Sequence, residues 1–108
     1  MTLRAAIAAS MAYDTIMVFE GQFTDHILPD QIHKINLSFL SPNMRREYGG
    51  CAGNIAYNYK LVGGEPVPLA MVGDDFAPYL EHCTRHGIDT SCLVLAKDQY
   101  TAQCFIVT

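Results

Sequence analysis

Hydrophobic residues run almost unbroken from residue 4 to residue 13 in small side chains, the pattern of a strand buried on both faces of an α/β sheet. Thr15 to Phe19 reads as a second strand. Gly21 to Pro29 connects, and Asp30 to His33 is at most a helical turn. From Ile35 to Leu40 the period is two, with Ile35, Leu37 and Phe39 alternating against Asn36 and Ser38, which predicts a half-buried strand. Ser41-Pro42-Asn43 is a turn, and Met44 to Tyr48 a returning strand.

Past Gly50 the period lengthens to that of a helix, predicted over about Ala52 to Val62, with Ala52, Ile55, Ala56, Tyr59 and Val62 on its apolar face. Gly63-Gly64 stops it as a left-handed cap. Val67 to Val72 is a buried strand despite Pro68. Gly73-Asp74-Asp75 then turns the chain into a second helix, capped by one of the aspartates, with Pro78 in its first turn and His86-Gly87 at its end. Its core-facing side is read as Phe76, Leu80 and Cys83. Leu93 to Leu95 and Thr101 to Val107 are the last strands, with Lys97-Asp98-Gln99 as the turn between them.

Strands alternating with helices predict a parallel α/β sheet. The excursion of short strands, at about 15–20, 35–48 and 101–108, predicts a small antiparallel sheet that hangs off the main layer as a lid over a cleft.

Composition narrows the class of partner. Half of the residues are hydrophobic and 17% are charged, which is globular, and a length of 108 residues allows one domain or part of a larger one. A net charge of −4, with no basic cluster longer than Arg45-Arg46, argues against nucleic acid and anionic membrane. No segment approaches a bilayer span. Met1 to Ala9 superficially resembles a signal peptide, but the apolar run continues into strand. Cys51, Cys83, Cys92 and Cys104 are irregularly spaced in a chain able to build its own core, so reduced thiols of a cytoplasmic protein are expected.

The candidate chemistry lies in Gly49-Gly50-Cys51-Ala52-Gly53-Asn54-Ile55-Ala56. A diglycine at the mouth of a helix lets a ligand approach the main chain, and the first amides of the helix face the same spot. Cys51 breaks a G-x-G-x-x-G spacing, and no P-loop lysine follows. Asn54 is suited to capping the helix, to bonding a ligand, or to both. His82 and His86 have a metal-ligand spacing with Cys83 between them, yet no acidic third ligand lies near, and they are read as solvated surface residues. No metal site is expected in this chain.

The stretch resembles the amino-terminal signature of the ribokinase, or PfkB, family of carbohydrate and nucleoside kinases. Every position matches: Gly49, Gly50, Cys51 as an optional residue, Ala52, Gly53, Asn54, Ile55, Ala56, then Gly63 and Gly73. Ser10-Met11-Ala12-Tyr13-Asp14, Val72-Gly73-Asp74-Asp75-Phe76 and Gly87-Ile88-Asp89-Thr90-Ser91 extend the likeness over almost the whole chain. Tyr13-Asp14-Thr15-Ile16-Met17 and Met44-Arg45-Arg46-Glu47-Tyr48-Gly49-Gly50 resemble the bacterial adenosine-kinase-like branch most, although Ser10 stands where adenosine kinases often carry an amide.

The resemblance implies a ribokinase-like fold, residues 1–108 forming the amino-terminal fragment of a kinase domain. It implies a substrate site in which Asp14 accepts hydrogen bonds from two sugar hydroxyls, Gly49 and Gly50 lie against the sugar, and Asn54 bonds a hydroxyl. A carboxylate suits this role because it offers only acceptors, in a geometry that engages a vicinal diol. A nucleoside base would rest on the lid, on Phe39 or Leu37.

The reaction implied is transfer of the ATP γ-phosphate to a hydroxymethyl group of a sugar or nucleoside, adenosine-like by preference. ATP and Mg2+ serve the full-length parent, and a homodimer through lid strands accompanies it. The family's second signature, a Gly-Ala-Gly-Asp run carrying the catalytic base, is absent here. This chain alone is therefore expected to be inactive and to bind neither ATP nor Mg2+, the alternative being a non-catalytic sugar- or nucleoside-binding fragment.

Overall fold

The computed structural model describes residues 2–18, 21 and 41–108. The helical turn expected at 30–33, the strand at 35–40, and with it Leu37 and Phe39, lie outside the described residues. The main layer contains β1 (Arg4–Ala8), β4 (Glu65–Leu69), β5 (Met71–Val72) and β6 (Val94–Leu95). β1 pairs with β4 in parallel from Arg4↔Glu65 to Ala8↔Leu69, and β5 pairs with β6 in parallel through Met71↔Val94 and Val72↔Leu95. Only Ala70 separates β4 from β5, so the order across the layer is β1, β4–β5, β6, and all directions agree.

The first strand is shorter than its apolar run. The chain bends at Ala9-Ser10-Met11, where the Ser10 carbonyl accepts the Ala52 amide at 2.8 Å instead of a ladder bond. β1 is also half-buried rather than buried on both faces, since Arg4, Ala6 and Ala8 are exposed. Within β4, the Glu65 amide donates to the Leu3 carbonyl at 3.0 Å, which turns odd-numbered residues toward β1. Pro66 and Pro68 aim their donor-less nitrogens at the opposite edge, where they cost no bond to β1.

Beyond the bend the chain enters a second sheet of order β3–β2–β7, formed by β2 (Ala12–Val18), β3 (Asn43–Gly49) and β7 (Ala102–Val107). β2 and β3 are antiparallel, from Ala12↔Gly49 to Val18↔Asn43, whereas β2 and β7 are parallel, from Ala12↔Ala102 to Met17↔Val107. The sheet expected to be antiparallel is thus mixed. β7 arrives from the main layer and runs in the same direction as β2, which also leaves it.

Helix α1 (Cys51–Leu61) ends as its glycines predict: Gly63 has φ 95°, and the Gly64 amide reaches back to the Tyr59 carbonyl at 2.9 Å. Its buried face is Ala52, Gly53 and Ala56, while Ile55 and Val62, expected inside, are 52% and 81% exposed. Helix α2 (Ala77–Arg85) buries Tyr79 and Cys83, and Leu80 is 42% exposed. The helix starts at Phe76, so the buried positions Phe76, Tyr79 and Cys83 step by three and four, and Leu80 falls beside that stripe. One core joins Met11, Tyr13, Ala52, Ala56, Val72, Phe76, Tyr79, Cys83 and Ile88.

Candidate functional site

The bend after β1 brings three of the four expected site residues together. Asp14 stands third in β2, and a Cβ on Gly49 would overlap its carboxylate, so the acid packs directly against the Gly49 backbone. Gly50 follows at the mouth of α1 with φ 85° and ψ 151°, a conformation essentially reserved for glycine. The fourth, Asn54, is exposed in the first turn of α1. It lines a surface depression of about 420 Å3 with Ile55, Asn58, Tyr59 and Val62. Asn54 does not cap the helix through its side chain, because no side-chain cap bond is formed and the first residue of the boundary is Gly50. One amide expected to face a ligand is also taken, since Ala52 donates to Ser10.

Register defines what surrounds Asp14. Paired residues on neighbouring strands share a face, which places Glu47 on one side of Asp14 and Cys104 on the other. One step outward, Ile16 lies between Arg45 and Ile106. Glu47 beside Asp14 would repel it, and Arg45 Nε, 3.2 Å from Glu47 Oε1, offsets that charge.

The opposite face of β2 enters the core through Tyr13, and here the structure departs from the sequence reading. The Tyr13 hydroxyl donates to the Asp75 carbonyl at 2.8 Å and accepts the Tyr79 amide at 3.3 Å. It thereby caps α2 from another strand, a role expected of Asp74 or Asp75. Both aspartates turn away from α2: Asp74 accepts the Asp98 amide and Asp75 the Thr101 amide, each at 2.7 Å. Burial disfavours the charge on Asp75, but the Thr101 amide and hydroxyl outweigh it and hold the carboxyl below its usual range. The Arg46 guanidinium covers the Tyr13 ring at 4.0 Å.

Tyr79, which sequence reasoning passed over, reaches the site itself. Its buried hydroxyl donates to the Gly49 carbonyl at 2.8 Å. A Cβ on Gly53 would occupy the place of that hydroxyl. Burial, then Cys83 and Asp14, push the phenol well above its usual range, so it remains a donor at any physiological pH. The one sequence signal was the three-residue step from Phe76, visible only once the helix start is known.

His82 and His86, expected in solvent, belong to an aromatic cluster. His82 stacks on Tyr48 at 4.3 Å and 17°, and His86 meets Tyr57 edge-on at 5.1 Å. Burial, followed by His86 and Arg85, lowers the His82 pKa. A His depressed in the fold takes up its proton more readily when unfolded, so stability is present above its unfolded value of about 6.5 and is lost as pH falls toward the folded value. Thermal melts from pH 7.5 to 5 are expected to show a falling Tm that His82→Phe flattens; parallel pH profiles would remove His82 from that role. Among the described residues no group of three or more His, Cys, Asp or Glu could hold a metal ion. None of them is assigned to Mg2+. No helix among them is long and apolar enough to cross a membrane.

Comparison with known proteins follows the same outline. Residues 11–108 match the sequence profile of the pfkB family of carbohydrate kinases. A nucleoside kinase of Methanothermobacter thermautotrophicus is 30% identical over 97 residues, spanning 88% of this chain and 31% of the relative. The ligand-free nucleoside kinase of Burkholderia thailandensis superposes with a TM-score of 0.76 at 51% identity, covering 95% of this chain and 34% of that one. The nucleoside kinase of Methanocaldococcus jannaschii, an archaeal member of the ribokinase family, gives 0.79 at 27% identity over 97% and 32%. This chain therefore spans about a third of the length of these relatives. With ribokinase-like topology, the full signature from Gly49 to Gly73 and a profile match over nearly its whole length, the chain belongs to the pfkB family of carbohydrate kinases.

Proposed function

We propose that this chain supplies the acceptor-binding part of an ATP-dependent kinase that phosphorylates the hydroxymethyl group of a nucleoside. The observation that carries the reading is the Asp14 carboxylate packed against the Gly49 backbone beside the open turn at Gly50. In this reading Asp14 accepts two hydroxyls of the ribose, and Gly49 and Gly50 let the sugar lie against main chain. Asn54 joins from the first turn of α1, rotating in from its exposed position. The face beyond Asp14, with Ile16, Cys104 and Ile106, offers apolar surface to a base.

Nucleoside over free sugar is favoured by two lines of support. Similar proteins are nucleoside kinases, and the Burkholderia enzyme, 46% identical in that structure, has been solved with inosine. The chain's contribution is orientation: holding the acceptor in one pose converts a bimolecular encounter into a positioned one. In this reading the described part of the lid, residues 15–18, 41–48 and 101–108, helps to exclude water when the site is filled.

The test is phosphoryl transfer by the intact protein carrying this chain, with MgATP and a panel of adenosine, inosine and ribose. Formation of nucleoside 5′-monophosphate at an efficiency at least about tenfold above that for ribose is expected. Turnover of ribose alone would overturn the nucleoside reading, and calorimetric binding without any phosphate transfer would favour a non-catalytic module.

A further inference from the structure

Among the described residues the chain passes between the main layer and the second sheet at Ala9-Ser10-Met11, at Gly49-Gly50 and along the loop from Ala96 to Thr101. The first two crossings lie side by side. There the Ala52 amide holds the Ser10 carbonyl, and Gly50 leaves no room for a side chain against the backbone of Ser10, Met11 and Ala12. The third crossing stands on the other side of β2, because β7 and β3 flank that strand. The sheet therefore rests on two supports, and its tilt on the main layer needs both.

Asp75 is the centre of the second support. Its carboxylate accepts the Thr101 amide at 2.7 Å and the Gln103 side-chain amide at 3.3 Å, while its carbonyl accepts the Tyr13 hydroxyl at 2.8 Å. Tyr13 and Gln103 are partners in the β2–β7 register, and the next pair is Asp14 with Cys104. One residue between β5 and α2 thus grips both strands a single step before the candidate acid. Thr101 is 1% exposed, so without the carboxylate its amide is buried and unpaired, a cost that a shift of the start of β7 toward water relieves. The ladder keeps β7 on β2, so the two strands shift together, and the Gly73 amide on Thr101 Oγ1 at 3.0 Å limits how far they go.

The two halves of the candidate clamp lie on opposite sides of this joint. Asp14 belongs to the second sheet, whereas Asn54 belongs to α1, which packs on β1 and β4 of the main layer. We propose that Asp75 is a positioning residue for the acceptor: its carboxylate sets the tilt of β2 and β7 on the main layer, and so the placement of Asp14 relative to Asn54. The inference rests on the acceptor-site reading above and adds to it a residue that never touches the acceptor. Without the carboxylate the sheet samples a wider range of tilts, and the arrangement that engages Asp14 and Asn54 together is present for part of the time. The apparent affinity for the acceptor falls by that fraction.

Asp75→Ala in the intact protein, with inosine as acceptor, provides the test. The acceptor KM is expected to rise roughly tenfold, the size of one lost hydrogen bond, with kcat and the KM for MgATP within about twofold of wild type. Asp75→Asn keeps an oxygen for the Thr101 amide and is expected to bring the acceptor KM back to within about threefold of wild type. The same Asp75→Ala change made on an Asn54→Ala background is expected to add only about twofold, because a tilt that acts through the pair has little left to misplace. An undiminished tenfold loss on that background, or an unchanged acceptor KM in a folded Asp75→Ala protein with a lowered Tm, would overturn the proposal and leave Asp75 a purely structural residue. Asp75→Glu, which keeps both oxygens but sets them one methylene farther out, is expected to raise the same KM, and it carries the test if Asp75→Ala does not fold. Asp14→Ala separates the two levels. If it retains full acceptor use, the site reading itself fails and the inference with it; if it loses acceptor use while Asp75→Ala and Asp75→Glu do not, only the positioning role fails.

Discussion

Replacing Asp14 by alanine in the intact protein is expected to lower kcat/KM for the nucleoside acceptor by roughly a thousandfold. The estimate follows from two charge-assisted hydrogen bonds lost at once, each stronger than a neutral one because the acceptor is ionised. Folding should survive, since Asp14 is only half-buried and packs against a glycine that a smaller side chain leaves undisturbed. Asp14→Asn is expected to fall between, because an amide keeps one acceptor oxygen and presents donors where the second stood. Steady-state kinetics with acceptor varied at saturating MgATP decide the matter, and wild-type efficiency in Asp14→Ala would remove the residue from the site.

The second large effect is on stability. Gly50→Ala places a Cβ 2.5 Å from the Ser10 carbonyl oxygen, 2.7 Å from the Met11 Cα and 2.8 Å from the Ala12 nitrogen. All three are backbone atoms at the bend between β1 and β2, so no side chain can yield. The residue would also have to hold φ 85° and ψ 151°. A loss of about 3 kcal/mol or more is expected, read as a Tm lower by on the order of 10 °C. Gly63→Ala is the control: its φ is 95°, but nothing lies within 4 Å of the added Cβ. That substitution should cost only about 1 kcal/mol. Equal melting of the two variants would show that the bend at Ser10 is softer than its contacts imply.

These predictions mark the line between what the chain announces and what it conceals. Helix ends were legible because their signals are local: Gly63 and Gly87 sit at positive φ where the caps require it. The diglycine and Asp14 were legible because their spacing in sequence repeats a known signature. The bend at Ala9-Ser10-Met11 was hidden inside an apolar run, since the carbonyl of Ser10 is claimed by an amide 42 residues away. Likewise, Asp74 and Asp75 have the composition of helix caps, and any local rule would assign them so. They lost that role to the hydroxyl of Tyr13, which no local rule could bring to the start of α2.

The misread faces have the same origin. From Phe76 a step of three and a step of four reach the same side of a helix, so apolar pattern alone selects Leu80, whereas packing buries Tyr79. On α1, buried positions are the small residues Ala52, Gly53 and Ala56, because the helix lies close to its neighbours and to the ring of Tyr79. Apolar size pointed to Ile55 and Val62, and close approach selected the opposite. Polarity alone sends His82 and His86 to solvent, although a flat imidazole can stack on Tyr48 or meet Tyr57 edge-on.

Pro66 and Pro68 act at a distance from any of this chemistry. β6 is two residues long and too short to choose its own partner position. Pro66 and Pro68 have no amide to donate toward its side, and the pairing there lies beyond them, with the Ala70 carbonyl accepting the Val94 amide at 2.9 Å. In that pairing Val94 stands opposite Met71. That placement sets Asp98 and Thr101 against Asp74 and Asp75, and the alignment of the two loops delivers β7 alongside Asp14. Two imino acids inside one sheet thus bound the pairing that leads, through two loops, to the strand beside the acid in the other.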